Sequence, residues 1–222
     1  MDAPVDVPPE RLPEDTERFE RLAELMHEEV AGDSGGHALD HAWRVFALGL
    51  RLADAEGADP EIGGAAALVH DLHRSMGEGY THPEESLPQV RELLDAAGVP
   101  DEQVPAICHC VAVHDGYGFD YGPDCDDPET VETEVLRDVD NLDAIGAVGL
   151  ARTFAYGGAR GNPIGRPGNR PEGGTTVGHF HEKLLRLGED MHTGRGEELA
   201  AERTAFLESF LERFAAEWQG QA

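Results

Sequence analysis

Lysine is nearly absent from this chain, and basic residues of any kind are scarce. Lys183 is the one lysine among 17 basic residues, which stand against 45 acidic residues and leave a formal net charge of -28. A surface of this sign repels nucleic acid backbones and anionic membrane surfaces, so neither is an expected partner. Self-repulsion of this kind also destabilises a compact fold unless salt screens it, and at 1 M salt the screening length is about 3 Å. The composition therefore predicts a protein of a salt-rich cytoplasm.

Long apolar runs and disulfide frameworks are missing as well. No stretch approaches the roughly 20 apolar residues of a membrane-spanning helix, and no basic-then-apolar N-terminus resembles a secretory signal peptide. Cys108, Cys110 and Cys125 are odd in number and are expected to be reduced thiols. These absences predict a cytoplasmic protein that neither crosses a membrane nor depends on disulfides.

Alternating strands and hairpin signals are also lacking, and helical periodicity takes their place. Apolar residues recur at three- and four-residue spacing, which predicts amphipathic helices. Eight helices are expected. The first spans 14–30, the second runs from about 37 to before 57, the third ends at 71 and the fourth starts at 83. The fifth spans 101–114, the sixth 129–154 with a break near Gly146 or Gly149, and the last two 179–191 and 197–218. Loops are expected at 116–128 and at 156–174, where glycine is too frequent for regular structure. The pattern predicts one all-α domain, 14–222, after a loose segment rich in proline and acid, 1–13.

The most informative stretch begins at Ala65, where five small or apolar residues lead directly to His70 and Asp71. A buried imidazole and carboxylate need hydrogen-bond partners or a metal, and both donor types suit a transition-metal ion. For the dipeptide alone, a buried histidine hydrogen-bonded to its neighbour is the commoner explanation, so other residues must decide. His37 and His41 are four apart and share one helix face, and bundles build metal sites from side chains that converge from several helices.

Taken together, these motifs resemble those of the HD-domain metal-dependent phosphohydrolases. The ordered set His41, His70-Asp71 and Asp140 is similar to the family signature His … His-Asp … Asp. Longer segments also resemble family motifs: 37–45 and 65–72 resemble the first two helix motifs of the family. The segment 138–146 followed by 151–154, and the segment 179–185, resemble motifs of one bacterial and archaeal subgroup. The likeness covers residues 37–218 and implies an all-α, single-domain helical bundle of the HD-domain type.

The resemblance implies a metal centre. His41, His70, Asp71 and Asp140 are expected to hold one divalent transition metal, Mn, Fe, Co, Ni or Zn. Asp71 would also act as general base by taking a proton from water. The positional matches for a second ion in some relatives are His82 and His109. Because cationic side chains bind phosphate oxygens, the residues expected to bind the substrate are His37, Arg44, Arg74, Arg152 and Lys183.

The expected function is hydrolysis of a phosphoester or phosphoanhydride in a small substrate, with a nucleotide as the leading candidate. A polymer would meet the whole acidic surface, whereas a small phosphate meets only the metal and the arginines. A di-iron HD-type oxygenase is a second hypothesis, because His82 and His109 could hold a second ion. A metal-stabilised binding or sensor module without turnover is a third. The metal, the number of ions, the oligomeric state and the role of loop 156–174, a lid or a plain connection, stay open at this point.

Overall fold

The computed structural model describes residues 16–29, 39–76, 80–122, 125–165 and 173–221. These residues fall into two compact units, divided between Val139 and Asp140. The first unit holds α1 (Thr16–Glu29), α2 (Leu39–Glu56), α3 (Pro60–Val69), 3-10 turns at His70–Ser75 and Pro83–Ser86, α4 (Leu87–Ala96), α5 (Val104–Val113) and most of α6 (Val131–Asp143). The second holds the end of α6, α7 (Gly146–Ala159), α8 (Thr176–His179), a π-helical turn at Phe180–Leu184, α9 (Leu185–Leu187) and α10 (Gly194–Trp218). No strand occurs in these ranges, so the all-α prediction is confirmed.

The predicted helix boundaries are wrong at several places: the fourth helix starts at Leu87 after a 3-10 turn, the fifth is the shorter Val104–Val113, and the helix expected at 179–191 is divided into α8, the π-helical turn and α9. The third helix ends at Val69, and a 3-10 turn carries the chain through His70 and Asp71. The loop expected from Tyr156 starts later, because α7 continues to Ala159. Gly161 provides the stop signal: its φ of +70° is a left-handed conformation that glycine adopts without a steric cost. The predicted break before the seventh helix is confirmed at Gly146, whose φ is +73°.

Two predicted features of the N-terminal half concern residues that the structure does not describe. The segment 1–13 and His37 lie outside the described residues. The expectations for them therefore remain predictions.

Helix α3 is built to pack closely. Asp59 caps it by accepting hydrogen bonds from the backbone N–H groups of Glu61 (2.8 Å) and Ile62 (3.4 Å). A Cβ on Gly64 would lie 2.9 Å from a ring atom of Phe46 and 3.0 Å from one of Phe19, so only glycine lets α3 approach these rings. The residues that follow, from Ala65 to Val69, are almost fully buried. This packing brings the C-terminal end of α3 into the interior of the first unit.

Helix α6 fixes the end of α5. Arg137 donates from Nε to the backbone oxygen of Val113 (2.7 Å) and from Nη2 to that of Asp126 (2.6 Å). The last carbonyls of a helix lack partners inside the helix, and the guanidinium supplies one. Gly116 leaves room for it, because a Cβ there would lie 2.3 Å from Arg137 Nη2. The residues just after α5 are thereby held in place.

The second unit has an aromatic core. Phe154 contacts Phe180 (5.9 Å between ring centroids), Phe210 (6.0 Å) and Phe214 (6.2 Å), and Phe214 stacks on Trp218 (5.5 Å). Phe180 is completely buried. Large aromatic surfaces contribute strongly to stability through burial and through their ring geometry.

The sequence predicted reduced cysteines and no membrane-spanning helix. Cys108, Cys110 and Cys125 are free thiols, and burial raises the pKa of Cys110 to about 11. Among the described helices, none combines the length and the apolar character that crossing a membrane requires.

Candidate metal centre

Three of the four predicted metal ligands meet in the interior of the first unit. Nε2 of His41 lies 3.2 Å from Nε2 of His70, and Oδ2 of Asp71 lies 3.4 Å from the first and 3.6 Å from the second. Their exposed fractions are 1%, 0% and 4%. A buried grouping of this kind is costly unless its members are paired or coordinate a cation.

The donor set fits a divalent metal. Nδ1 of His70 is 2.8 Å from the backbone oxygen of Ala67, a contact in which the imidazole must be the donor. A neutral His70 then presents an unprotonated Nε2 towards His41 and Asp71, which is the form that binds a metal. Two imidazole nitrogens and a carboxylate oxygen are ligands of transition-metal ions. The structure thus offers a grouping that could hold one ion.

The 3-10 turn explains how neighbouring residues reach the centre. In a 3-10 helix the side chains of residues i and i+3 lie on the same side. Accordingly, Arg74 reaches Asp71, with Nε donating to Oδ1 at 2.6 Å. His73 likewise turns back over His70, and its Nδ1 donates to the His70 backbone oxygen at 3.2 Å.

A second buried carboxylate, Asp115, lies beside the first. Its Oδ2 is 3.1 Å from Arg74 Nη2 and 4.0 Å from His73 Nε2. Tyr117 donates a hydrogen bond to its Oδ1 at 2.8 Å, and Tyr80 donates a longer one to its Oδ2 at 3.4 Å. Arg74 therefore bridges Asp71 and Asp115.

His73, His114 and Asp115 are the residues of this region that sequence reasoning left out of the site. His114 Nε2 lies 3.8 Å from Asp71 Oδ1, while its Nδ1 donates to the backbone oxygen of Val111 at 2.7 Å. Burial, followed by the charge of His114, lowers the pKa of His73 to about 4, so this imidazole is neutral near pH 7. The sequence contained one signal for His114: it directly follows the apolar run of helix α5, which places it at the end of a buried helix.

Asp140 and the predicted substrate-binding residues are distributed over both units. Arg44 on α2 pairs with Asp40 at 2.7 Å, one turn earlier on the same helix. Arg152 on α7 pairs with the Asp143 carboxylate and also lies 3.4 Å from the Asp143 backbone oxygen. Asp140 lies on α6 as the first residue of the second unit.

The one lysine of the chain, Lys183, lies in the π-helical turn and is half-buried. Its charge acts with burial to lower the pKa of His179. The substrate-binding role of Lys183, like those of the arginines, stays a prediction.

The two residues predicted for a second ion have other surroundings. His82 caps the turn Pro83–Ser86 by accepting from the backbone N–H of Glu84 at 3.3 Å, and its Nε2 lies 3.5 Å from Cys125 Sγ. His109 is half-buried on α5, and its Nε2 has no hydrogen-bond partner among the described residues. Within the described ranges, neither belongs to a group of three potential ligand atoms that lie close together. A second ion at these two histidines stays a prediction.

Comparison with known proteins identifies the family. The sequence model of the HD domain matches residues 38–145. The YpgQ protein of Bacillus subtilis is 33% identical over 202 residues, which are 90% of this chain and 94% of that protein. The structure is similar to the crystal structure of an HD-superfamily hydrolase from Bacillus thuringiensis, with a TM-score of 0.73 and 31% identity over 92% of this chain and 98% of that one. It is also similar to the crystal structure of Bacillus subtilis YpgQ in complex with ADP, with a TM-score of 0.71 and 30% identity over 90% of this chain and 100% of that one. The chain therefore belongs to the HD-domain superfamily.

Proposed function

We propose that this protein is a metal-dependent phosphohydrolase that acts on a phosphoester or phosphoanhydride of a small substrate, with a nucleotide as the favoured substrate. The observation that carries the proposal is the buried grouping of His41, His70 and Asp71 inside the segment that matches the HD domain. We further propose Asp140 as the fourth ligand, on the strength of the sequence motif. A bound divalent ion would polarise the phosphoryl group and acidify a water molecule.

The residues of the chain prepare this chemistry in separate ways. His70 is held by its hydrogen bond to Ala67, so its Nε2 stays directed towards His41 and Asp71. Arg74 fixes the Asp71 carboxylate through Oδ1 and leaves Oδ2 facing the two imidazoles. We propose that Asp71 accepts the proton of the attacking water, as a carboxylate in this place can do. The burial of the grouping excludes bulk solvent, which strengthens every electrostatic interaction in it.

Two observations favour a nucleotide. One similar structure, that of YpgQ, is a complex with ADP. In this chain, the loop after α5 carries an aromatic group, in which Tyr117 lies 5.5 Å from Phe119 and 5.9 Å from Tyr121 between ring centroids. Tyr117 also binds Asp115 through its hydroxyl. Aromatic rings in such a position can stack on a nucleobase.

The decisive experiment combines metal analysis with a substrate panel in multimolar KCl, the solvent that the acidic composition suggests. Purified protein is assayed for bound transition metals and for phosphate or pyrophosphate released from nucleoside mono-, di- and triphosphates. We expect at least one tightly bound ion and turnover of a nucleotide. Metal-free protein with intact helicity would contradict the metal centre. Two bound iron ions with oxygen consumption would favour the oxygenase, and bound metal without turnover would favour a sensor module.

A salt titration tests the setting that we propose, the cytoplasm of a high-salt organism. The net charge of -28 should make the folded state depend on salt. Helicity followed by circular dichroism should be retained in multimolar KCl and diminish as KCl is removed. A protein equally stable at low salt would contradict this part of the proposal.

A further inference from the structure

The two oxygens of the Asp71 carboxylate face different partners. Oδ2 faces the proposed metal ligands, at 3.4 Å from His41 Nε2 and 3.6 Å from His70 Nε2. Oδ1 contacts a different pair, at 2.6 Å from Arg74 Nε and 3.8 Å from His114 Nε2. A carboxylate that bridges two metal ions gives one oxygen to each ion. Asp71 has the geometry of such a bridge, with a guanidinium on its second side.

Asp71 and His114 also belong to a second set of donor atoms. Asp71, His73 and His114 each offer a ligand atom within 4.8 Å of the others, and all three side chains are buried. Nε2 of His73 has no hydrogen-bond partner in the described part of the chain. Two imidazoles and a carboxylate are sufficient to begin a second ion site. The first unit thus has the ligands for two ions.

Arg74 already supplies positive charge at this second position. Its guanidinium contacts Asp71 Oδ1 through Nε and Asp115 Oδ2 through Nη2 at 3.1 Å. Both carboxylates are buried, and a guanidinium stays protonated at any physiological pH. A divalent ion bound to Asp71 Oδ1 would have to displace Arg74 Nε and would be repelled by its charge.

We infer that Arg74 takes the place of a second metal ion, so that the centre holds one ion and the group Asp71, His73 and His114 is a latent second site. This inference rests on the proposed function, because it presupposes that His41, His70 and Asp71 hold the first ion. It also gives Arg74 a role different from the phosphate contact expected from the sequence. Arg74 acts on Asp71 and is a positioning residue.

The test is a count of bound metal ions. Wild type and the variants Arg74→Ala and Arg74→Gln are saturated with Mn²⁺, freed of excess ion by gel filtration, and measured by elemental analysis and by electron paramagnetic resonance. We expect one ion per chain in the wild type. Both variants should hold two ions, with the spin-coupled signal of a close pair. The matched control is Arg21→Ala, which removes an exposed arginine of the same unit, and it should hold one ion.

A third variant tests the ligands of the latent site. Arg74→Ala combined with His73→Ala should return the count to one ion per chain and abolish the coupled signal. Two ions in the wild type, or one ion in both single Arg74 variants with helicity retained, would overturn the inference. If the Arg74 variants do not fold, the wild-type count alone decides: one ion supports the inference and two ions overturn it. A wild type without any ion would instead overturn the proposed function.

Discussion

The two units differ in what they bury. The first buries a cluster of ionisable groups, among them His41, His70, Asp71 and Asp115, beside aliphatic side chains and the ring pair of Phe19 and Phe46. The second builds its core from aromatic rings around Phe180. Buried ionisable groups cost free energy unless they are paired or coordinate a metal, whereas buried rings stabilise the fold directly. We therefore expect the first unit to hold most of the proposed metal ligands and the aromatic core of the second to serve mainly stability.

The sharpest way to break this comparison is Asp71→Asn. The change removes the carboxylate that faces His41, His70 and Arg74, so we expect metal loss and a fall in phosphate release on the order of 10²- to 10⁴-fold. Elemental analysis and the nucleotide assay measure both effects. Glu24→Gln, which changes an exposed carboxylate, is the control and should leave both unaffected. Retained metal and activity in Asp71→Asn would refute the assignment.

A stability effect without a metal effect is expected from Phe180→Ala. Removing a fully buried ring leaves a cavity in the aromatic core and should lower the free energy of unfolding by about 3–5 kcal/mol. Denaturant unfolding at fixed KCl measures the loss. Phe206→Ala, at a position that is 48% exposed, is the matched control and should change stability by less than about 0.5 kcal/mol. If Phe180→Ala lowered the metal content of folded protein, the proposed division of roles would be wrong.

Gly116→Ala probes the support of the first unit. The added Cβ would lie 2.3 Å from Arg137 Nη2 and displace the guanidinium that holds Val113 and Asp126. Loss of a hydrogen bond to a charged group costs about 1.5–3 kcal/mol, which thermal or denaturant unfolding can detect. Gly158→Ala is the comparison, since its Cβ would meet nothing within 4 Å on α7. That substitution should be neutral or stabilising by roughly 0.5–1 kcal/mol. Equal behaviour of the two variants would contradict this account of Arg137.

The smallest effect concerns pH and His179 in the second unit. Burial, and then the charge of Lys183, lowers the pKa of His179 below its ordinary value of 6.5, while Glu182 opposes the shift. The unfolded chain therefore takes up a proton before the folded one does, and this group makes stability fall as pH drops from 6.5 through the lowered pKa. His179→Gln should flatten the pH dependence of stability in that window while leaving it unchanged above pH 8. An unchanged slope would exclude His179 as its source.

The sequence predicted the helical fold because apolar spacing is a local property that survives in the structure. It also predicted His41, His70 and Asp71 as a group, since the family motif ties residues far apart in the chain to one centre. The structure brings these three together. The break near Gly146 or Gly149 was predictable too, because glycine disfavours a helix interior, and the structure has a left-handed glycine at Gly146.

Other features of the site depend on geometry that sequence patterns do not specify. The sequence reading treated His70 and Asp71 as the end of an alanine-rich α-helix, but they begin a 3-10 turn. That change of period brings Arg74 over Asp71 and His73 over His70, so neither contact follows from α-helical spacing. Arginine near a phosphate site is typical of substrate binding, and only the distances reveal that Arg74 bridges two carboxylates.

The tight turn from His70 to Ser75 also limits how this segment can change in length. Its side chains return to the same side after three residues, and the ion pair between Asp71 and Arg74 uses that interval. Inserting one or two residues between these partners would rotate the guanidinium away by about one third of a turn per residue, whereas inserting three would restore its direction one turn further along. Natural or engineered length variation at this point is therefore expected to come in whole turns.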